Sequence, residues 1–149
     1  MKTIHVPHDA LILVMDGSRA LLLRNGGTPQ APALRVEQHV DAPANPLSHD
    51  QGSDRPGRTA MGSRRSSLQE PSPHERQEEA FVRAVGIWLD TFISQRGSGA
   101  GLVLIAPPRC LAILRRDMPA TSRRHVLAEE SKDLAGMPLE TIEARLREG

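Results

Sequence analysis

Apolar and polar residues follow one another along this chain in blocks that predict short strands first and helices afterwards. Two apolar runs, 10–15 and 20–23, are separated by Asp16-Gly17, the favoured pair for a two-residue hairpin turn with positive backbone angles. A third run over 33–40 alternates apolar with charged positions. We therefore expect the chain to begin with a three-strand antiparallel meander.

A polar segment over 42–72 interrupts this pattern. Pro, Ser, Gly, Asp and Arg dominate it, and its only large apolar residues are Leu47, Met61 and Leu68. Such a segment buries too little apolar surface to offset the entropy that it would lose on ordering. We expect a long mobile loop inside a single domain that spans 1–149, and compact domains rarely keep such loops without a use for them.

A helix is predicted directly after this loop. Residues 72–75 read Ser-Pro-His-Glu, which supplies an N-cap serine, a proline at the first helical position and a capping-box glutamate. Apolar residues then recur at helical spacing and form one stripe, which consists of Phe81, Val85, Trp88 and Phe92. The helix is expected to run to about Gln95.

The rest of the chain predicts alternating strands and helices. Strands are expected at 102–106 and 124–128, with a helix between them that starts after Pro107 and stops at Pro119. A final helix follows Pro138. A meander followed by right-handed β-α units, in the order β-β-β-α-β-α-β-α, predicts an α/β fold of the ribonuclease H-like type with a mixed five-stranded sheet.

The composition indicates a soluble globular protein but does not indicate its binding partner. Hydrophobic residues make up 38% and charged residues 25%, which is typical of a soluble globular domain. The formal net charge of +1 selects neither nucleic acid nor a membrane. No stretch reaches transmembrane length and the N-terminus lacks a signal-peptide pattern, so we expect a cytoplasmic protein with no membrane association.

The polar loop carries the most distinctive charge pattern in the sequence. Within eleven acid-free positions it contains four arginines, Arg55, Arg58, Arg64 and Arg65. Arginine pairs bidentately with phosphate and carboxylate groups, so the loop could clamp RNA or an acidic protein surface. The alternative is a solvated tether whose charges maintain solubility. No aromatic residue accompanies the arginines, which argues against base stacking and sequence-specific reading of RNA.

A metal-dependent nuclease site is incomplete in this sequence. In this fold it needs carboxylates from the first strand, the first helix and the end of the fourth strand. Asp16 is the first-strand candidate, and the first helix offers Glu75, Glu78 and Glu79, although turn formation, capping and solvation also explain these acids. The fourth strand ends in Ala106-Pro107 without an acid. We therefore predict no catalytic residues and favour a binding protein over an enzyme.

Histidine and cysteine do not predict a metal or cofactor site. The six histidines are scattered without a paired spacing, at His5, His8, His39, His49, His74 and His125. The single cysteine, Cys110, lies at a helix start, where the alternatives are a small buried side chain and a thiol whose pKa the helix dipole lowers. Arg109 and Lys132 follow the fourth and fifth strands, at the edge where open α/β sheets gather ligands, although salt bridges or helix caps would explain both.

Four segments of the sequence resemble the bacterial host attachment protein family. They are 53–58 (Ser-Asp-Arg-Pro-Gly-Arg), 73–75, 102–109 and 130–134, and they occur in the family's order over most of the chain. The family is distantly similar to the middle domain of archaeal and eukaryotic peptide-chain release factors. That domain is ribonuclease H-like and uses a Gly-Gly-Gln loop in peptidyl-tRNA hydrolysis. The polar loop here has no Gly-Gly-Gln, so the resemblance implies the fold and not the reaction.

Together these observations predict a non-enzymatic binding module. Its expected partner is an RNA-rich or phosphate-rich assembly such as the ribosome, contacted by the four loop arginines, with Arg109 and Lys132 as further candidates. Two alternatives remain open at the level of sequence. One is a hydrolase of nucleic acid or peptidyl-tRNA, and the other is a structural protein linked to attachment to host cells, which the family's name implies.

Overall fold

The computed structural model describes residues 5–42 and 72–148 of the chain. The loop arginines at positions 55, 58, 64 and 65 lie outside these residues. The elements in chain order are β1 (Leu11–Met15), β2 (Arg19–Asn25), β3 (Leu34–Asp41), α1 (Pro73–Arg96), β4 (Leu102–Ala106), α2 (Pro108–Asp117), α3 (Ala120–Arg123), β5 (Val126–Ser131) and α4 (Leu139–Glu148). None of the helices in the described ranges is long and apolar enough to cross a membrane.

The strands form one mixed sheet in the order β3-β2-β1-β4-β5. β1 pairs antiparallel with β2 and parallel with β4, while β3 and β5 form the two edges. All five residues of β1 and of β4 are buried, as expected for central strands that are covered on both faces. This is the ribonuclease H-like α/β arrangement, and the predicted fold class is confirmed.

Helices cover both faces of the sheet. On one face α1 and α2 pack over side chains such as Leu13, Leu22 and Leu104. On the other face α4 packs Ile142 against a second apolar cluster that includes Ile12 and Val103 of the central strands. Successive strand residues point to opposite faces, so the unbroken apolar runs of β1 and β4 supply both layers of the core.

The largest difference from the sequence prediction lies at the start of β5. β5 runs over Val126–Ser131 and not over 124–128, and a short helix, α3, precedes it. Arg124 keeps a helical backbone and its N–H donates to Ala120 O at 3.2 Å. Pairing with β4 determines where β5 begins and ends, since Ala106 lies opposite Ser131. This long-range register has no local signal in the sequence.

The β1–β2 turn is present, but its geometry is not the one predicted. Asp16 N–H donates to Arg19 O at 3.0 Å, which makes Gly17 and Ser18 the central residues, and neither has a positive φ. The carboxylate of Asp16 accepts from the N–H groups of Ser18 (2.8 Å) and Arg19 (2.9 Å). These bonds form an Asx turn, which closes the hairpin without left-handed backbone. The predicted positive angles at Asp16-Gly17 are therefore wrong.

Candidate functional site

An open cleft of about 560 Å³ lies at the carboxyl ends of β1 and β4. Its walls are the β1–β2 turn, the first turns of α1 and the start of α2. The polar side chains among its lining residues are Asp16, Ser18, Glu75, Glu78, Glu79, Arg109, Cys110 and Asp133. In open α/β sheets this edge is where ligands gather.

A capping box fixes the first turn of α1 at the rim of the cleft. Ser72 Oγ accepts from the N–H of Glu75 at 3.1 Å, and Glu75 Oε1 accepts from the N–H of Ser72 at 2.9 Å. The predicted helix start is confirmed. The backbone hydrogen bond from Ser72 lowers the pKa of Glu75, with a smaller contribution from the positive charge of Arg109. Glu75 is therefore held ionised as a cap.

Arg109 lies in the cleft between two carboxylates. Its Nη2 is 3.7 Å from Glu75 Oε2 and 3.7 Å from Glu78 Oε1. Glu78 also lies 3.2 Å from His74 Nε2, and a Cβ at Gly17 would meet its Cδ at 2.8 Å. The placement of Arg109 at the strand edge agrees with the sequence prediction. Its charge, however, is already compensated there by two glutamates.

An ion-pair network joins α1 to α2 beside the cleft. Arg116 Nη2 lies 2.8 Å from Glu79 Oε2 and 2.8 Å from Asp117 Oδ2. Arg83 bonds to the same two carboxylates, with Nε 3.1 Å from Asp117 Oδ2. Hydrogen bonds from Arg116 and then Arg83 lower the pKa of Asp117 from 3.8 to about 2. Because Glu79 bonds to Arg83 of α1 and to Arg116 of α2, its carboxylate links the two helices.

The lowered pKa of Asp117 predicts an acid-sensitive contribution to stability. A carboxyl group with a depressed folded-state pKa stabilises the fold above its unfolded pKa, and that stabilisation is lost as the pH falls through about 2. We expect Asp117→Asn to unfold at a lower temperature than the wild type at pH 6, and the difference to disappear near pH 2. Thermal unfolding followed by circular dichroism at both pH values measures this.

High salt is a useful control for the same pair of proteins. Because the network is at the surface, added salt should reduce the difference at pH 6. A difference in melting temperature that stayed constant from pH 6 to pH 2 would contradict the assignment to Asp117.

The carboxylates of the cleft do not assemble into a metal site. Among residues 5–42 and 72–148 there is no group of three or more His, Cys, Asp or Glu side chains placed to hold a metal ion. β4 ends in Ala106-Pro107, as the sequence indicated. Asp133, which the sequence places with Lys132 just past the last strand, reaches the cleft from the end of β5. The end of β5 lies beside the end of β4 because the two strands pair in parallel.

Cys110 lines the cleft but is buried. Burial raises the pKa of its thiol to about 11, with further raising from the nearby negative charge of Asp16. The thiol is therefore neutral at physiological pH, and thiolate is the nucleophilic form. Of the two roles that the sequence left open, the small buried side chain is confirmed and the activated thiol is wrong.

Lys132 lies at the same sheet edge but does not line the cleft. Its N–H donates to Ala106 O at 3.2 Å, which ties the end of β5 to the end of β4.

The charged side chains that line the cleft are mostly acidic. They comprise one arginine, Arg109, and five carboxylates, those of Asp16, Glu75, Glu78, Glu79 and Asp133. Its surface is negatively charged and is not suited to binding phosphate by itself.

Ala42 and Ser72, the described residues on either side of 43–71, both lie beside this cleft. On one side, Ala42 N–H donates to Ser18 O at 2.7 Å, next to the β1–β2 turn. On the other side, Ser72 caps α1 at the rim. The chain that carries the four loop arginines thus leaves and re-enters the fold at the carboxyl edge of the sheet.

Residues 9–146 match the family described as bacterial archaeo-eukaryotic release factor family 12. Among solved structures, the chain is similar to the crystal structure of the archaeal translation termination factor aRF1, with a TM-score of 0.46 and 12% sequence identity. That similarity covers 93% of this chain and 36% of aRF1, so the chain spans about a third of its length. No curated protein matches the sequence.

Proposed function

This chain belongs to bacterial archaeo-eukaryotic release factor family 12, and on that premise we propose that it is a non-enzymatic binding module of the translation apparatus. Its proposed partner is the ribosome, an RNA-rich assembly that presents phosphate groups. The observation that carries the proposal is the attachment of the arginine-bearing segment at both sides of the cleft, through Ala42 and Ser72.

The charge pattern supports assignment of the contact to the loop. Several arginines of the described fold are paired with carboxylates of the fold itself: Arg24, Arg83, Arg109, Arg115 and Arg116. By contrast, positions 55–65 contain four arginines and no acid. Guanidinium groups bind phosphates through paired N–H donors, and release of counterions makes such binding favourable at low salt.

Arg109 and Lys132 are proposed as secondary contacts at the same edge. The carboxylates of Glu75 and Glu78 face Arg109, so its contribution to binding a phosphate should be smaller than that of a loop arginine. Lys132 follows β5 at the same edge, and it does not line the cleft.

We expect replacement of Arg55, Arg58, Arg64 and Arg65 by alanine to remove co-sedimentation with ribosomes at low salt. With four phosphate contacts, the slope of log K against log salt should fall in magnitude by about 3. Sucrose-gradient sedimentation of purified protein with ribosomes at several salt concentrations measures both quantities. The matched control replaces four exposed arginines away from the cleft by alanine, namely Arg35, Arg115, Arg145 and Arg147.

The control should keep wild-type sedimentation although it loses the same charge. If wild type itself stays in the light fractions at low salt, the ribosome proposal is wrong. If the loop variant and the control weaken binding equally, the interaction depends on net charge, and the assignment to the loop is wrong.

The two alternatives from the sequence make different predictions. A hydrolase would turn over RNA or peptidyl-tRNA as a purified protein, and Asp16→Asn or Glu75→Gln would abolish that turnover. An attachment protein would be recovered at the cell surface on fractionation. Either result would replace the binding-module proposal.

A further inference from the structure

A cationic surface lies at the amino ends of β4 and β5, the opposite edge of the sheet from the acidic cleft. It is formed where the α1–β4 loop meets the end of α3, and we call it the amino-edge surface. Its exposed charges are Arg96, Arg123 and Arg124, with the half-buried His125 beside them. The stretches 91–101 and 118–128 that form it contain no Asp or Glu.

Hydrogen bonds hold the two parts of this surface together. Ser98, which is 7% exposed, places its Oγ 3.1 Å from His125 Nδ1. The N–H of Leu102 donates to His125 O at 2.9 Å. Since Ser98 follows Arg96 by two positions and His125 follows Arg124 directly, these contacts bring the arginines of the two segments to one edge.

Two of the arginines are also held in position. The guanidinium of Arg96 lies over the ring of Phe92, 5.5 Å from its centroid. Arg123 Nη1 donates to Arg115 O at 2.7 Å, which leaves the other donors of its guanidinium group for a ligand. Cations that are already positioned lose less side-chain entropy when a partner binds.

Two acids that lie near this surface accept hydrogen bonds within the fold. Asp90 Oδ1 accepts from Thr121 Oγ1 at 2.6 Å. Asp9 approaches the α1–β4 loop at Gly99, and its Oδ1 lies 3.3 Å from Arg24 Nη1. Asp90 keeps its negative charge beside Thr121, but the three arginines of the amino-edge surface outnumber it, in contrast to the cleft at the other edge.

We infer that the amino-edge surface binds the phosphate backbone of RNA. Charge complementarity selects a polyanion, and the choice of RNA over an acidic protein rests on the proposed function. The α1–β4 loop also has backbone that a partner can approach closely. Gly97 has no side chain, and the space that a Cβ would occupy there is empty to 4 Å. Ser94, whose side chain is exposed in the first segment, carries a hydroxyl group, a common type of donor to phosphate.

The test uses the full-length protein and a short fluorescent single-stranded RNA of mixed sequence. Binding is followed by anisotropy between about 50 and 200 mM salt, the range over which phosphate contacts strongly change affinity. The test variant replaces Arg96, Arg123 and Arg124 by glutamine. Three lost contacts should reduce the magnitude of the slope of log K against log salt by about 2, at about 0.7 per contact for single strands.

Two further variants keep the inference falsifiable. Arg35, Arg145 and Arg147, which are exposed and lie outside the segments 91–101 and 118–128, are replaced by glutamine as a matched loss of three charges. Arg124→Glu reverses one exposed charge without disturbing the contacts of Arg96 and Arg123, so it tests the surface even if the triple variant does not fold. It should weaken RNA binding several-fold.

The outcomes separate this inference from the proposed function. Loss of RNA binding in the amino-edge variants, with the control unchanged, supports the inference, whether or not the loop variant still binds ribosomes. Amino-edge variants that keep wild-type affinity and salt slope overturn it, even if loop arginines prove essential. Binding to polyglutamate but not to RNA also overturns it, because the partner would then be an acidic protein.

Discussion

Replacement of Asn25 by alanine should lower the free energy of unfolding by about 3–4 kcal/mol, because it removes a buried hub of hydrogen bonds. Asn25 is fully buried. Its Nδ2 donates to Val6 O at 2.9 Å, and its Oδ1 accepts from the N–H groups of Gly27 (2.9 Å) and Ala33 (3.0 Å). Alanine would leave these three backbone groups without their side-chain partner, and the cost is greatest at the buried Val6.

Urea unfolding followed by circular dichroism measures this change. Asn25→Asp is a sharper variant, because a carboxylate would place an oxygen against the carbonyl of Val6 while keeping the size of the side chain. Gln38→Ala on the exposed side of β3 is the control, and it should change stability by less than about 0.5 kcal/mol. An Asn25→Ala protein as stable as this control would show that the network contributes little.

Gly99→Ala should be the second strongly destabilising substitution, with a cost of at least about 3 kcal/mol. Gly99 has a φ of 61°, and a Cβ there would lie 2.1 Å from the backbone oxygen of Asp9. Ala10 forms an isolated β-bridge with Gly99, so the α1–β4 loop and the segment before β1 are in direct contact. The alanine would have to push two backbone segments apart.

Gly97 provides a matched control in the same loop. Its φ is 82°, but a Cβ there would meet nothing within 4 Å. Gly97→Ala should therefore cost only the penalty for its backbone angles, φ 82° and ψ 162°, which glycine adopts most readily, about 1–3 kcal/mol. Equal destabilisation of the two variants in urea unfolding would mean that backbone angle, and not the close approach to Asp9, limits this position.

Both predictions concern the framework of the amino-edge surface. Asp9 N–H donates to Asn25 O at 2.7 Å, and Asn25 N–H donates to Ala10 O at 2.9 Å. The same residues thus connect the start of β1, the end of β2 and the loop after α1. A loss of RNA binding in Asn25 or Gly99 variants would therefore reflect folding, which is why charge variants are the correct test of binding.

Much of the fold was predictable because its signals are local. The apolar runs of β1 and β4, the capping box at Ser72 and the buried stripe from Phe81 to Phe92 each depend on neighbouring residues. One member of the stripe, Trp88, is only partly buried, since it lies at the flank of α1 and not at its centre. The actual core face of α1 also includes Val82, Gly86, Leu89 and Ile93.

The candidate site was less predictable because it depends on contacts between distant segments. The sequence placed Arg109 at the strand edge correctly, yet only the structure shows it between Glu75 and Glu78. Asp133 joins the cleft through the parallel pairing of β4 and β5, a register that no local pattern specifies. The loop arginines, Arg55 to Arg65, stay predictions, because they lie outside the described residues.

The sequence by itself determined the order of the five strands and the three longer helices, the mixed α/β sheet and the concentration of arginine between β3 and α1. These follow from hydrophobic period, turn residues and helix caps, which act over a few positions. Only the tertiary structure decided that one sheet edge is acidic and the other basic. Charge at an edge depends on which distant side chains are neighbours, and the strand order and register set that through long-range backbone hydrogen bonds.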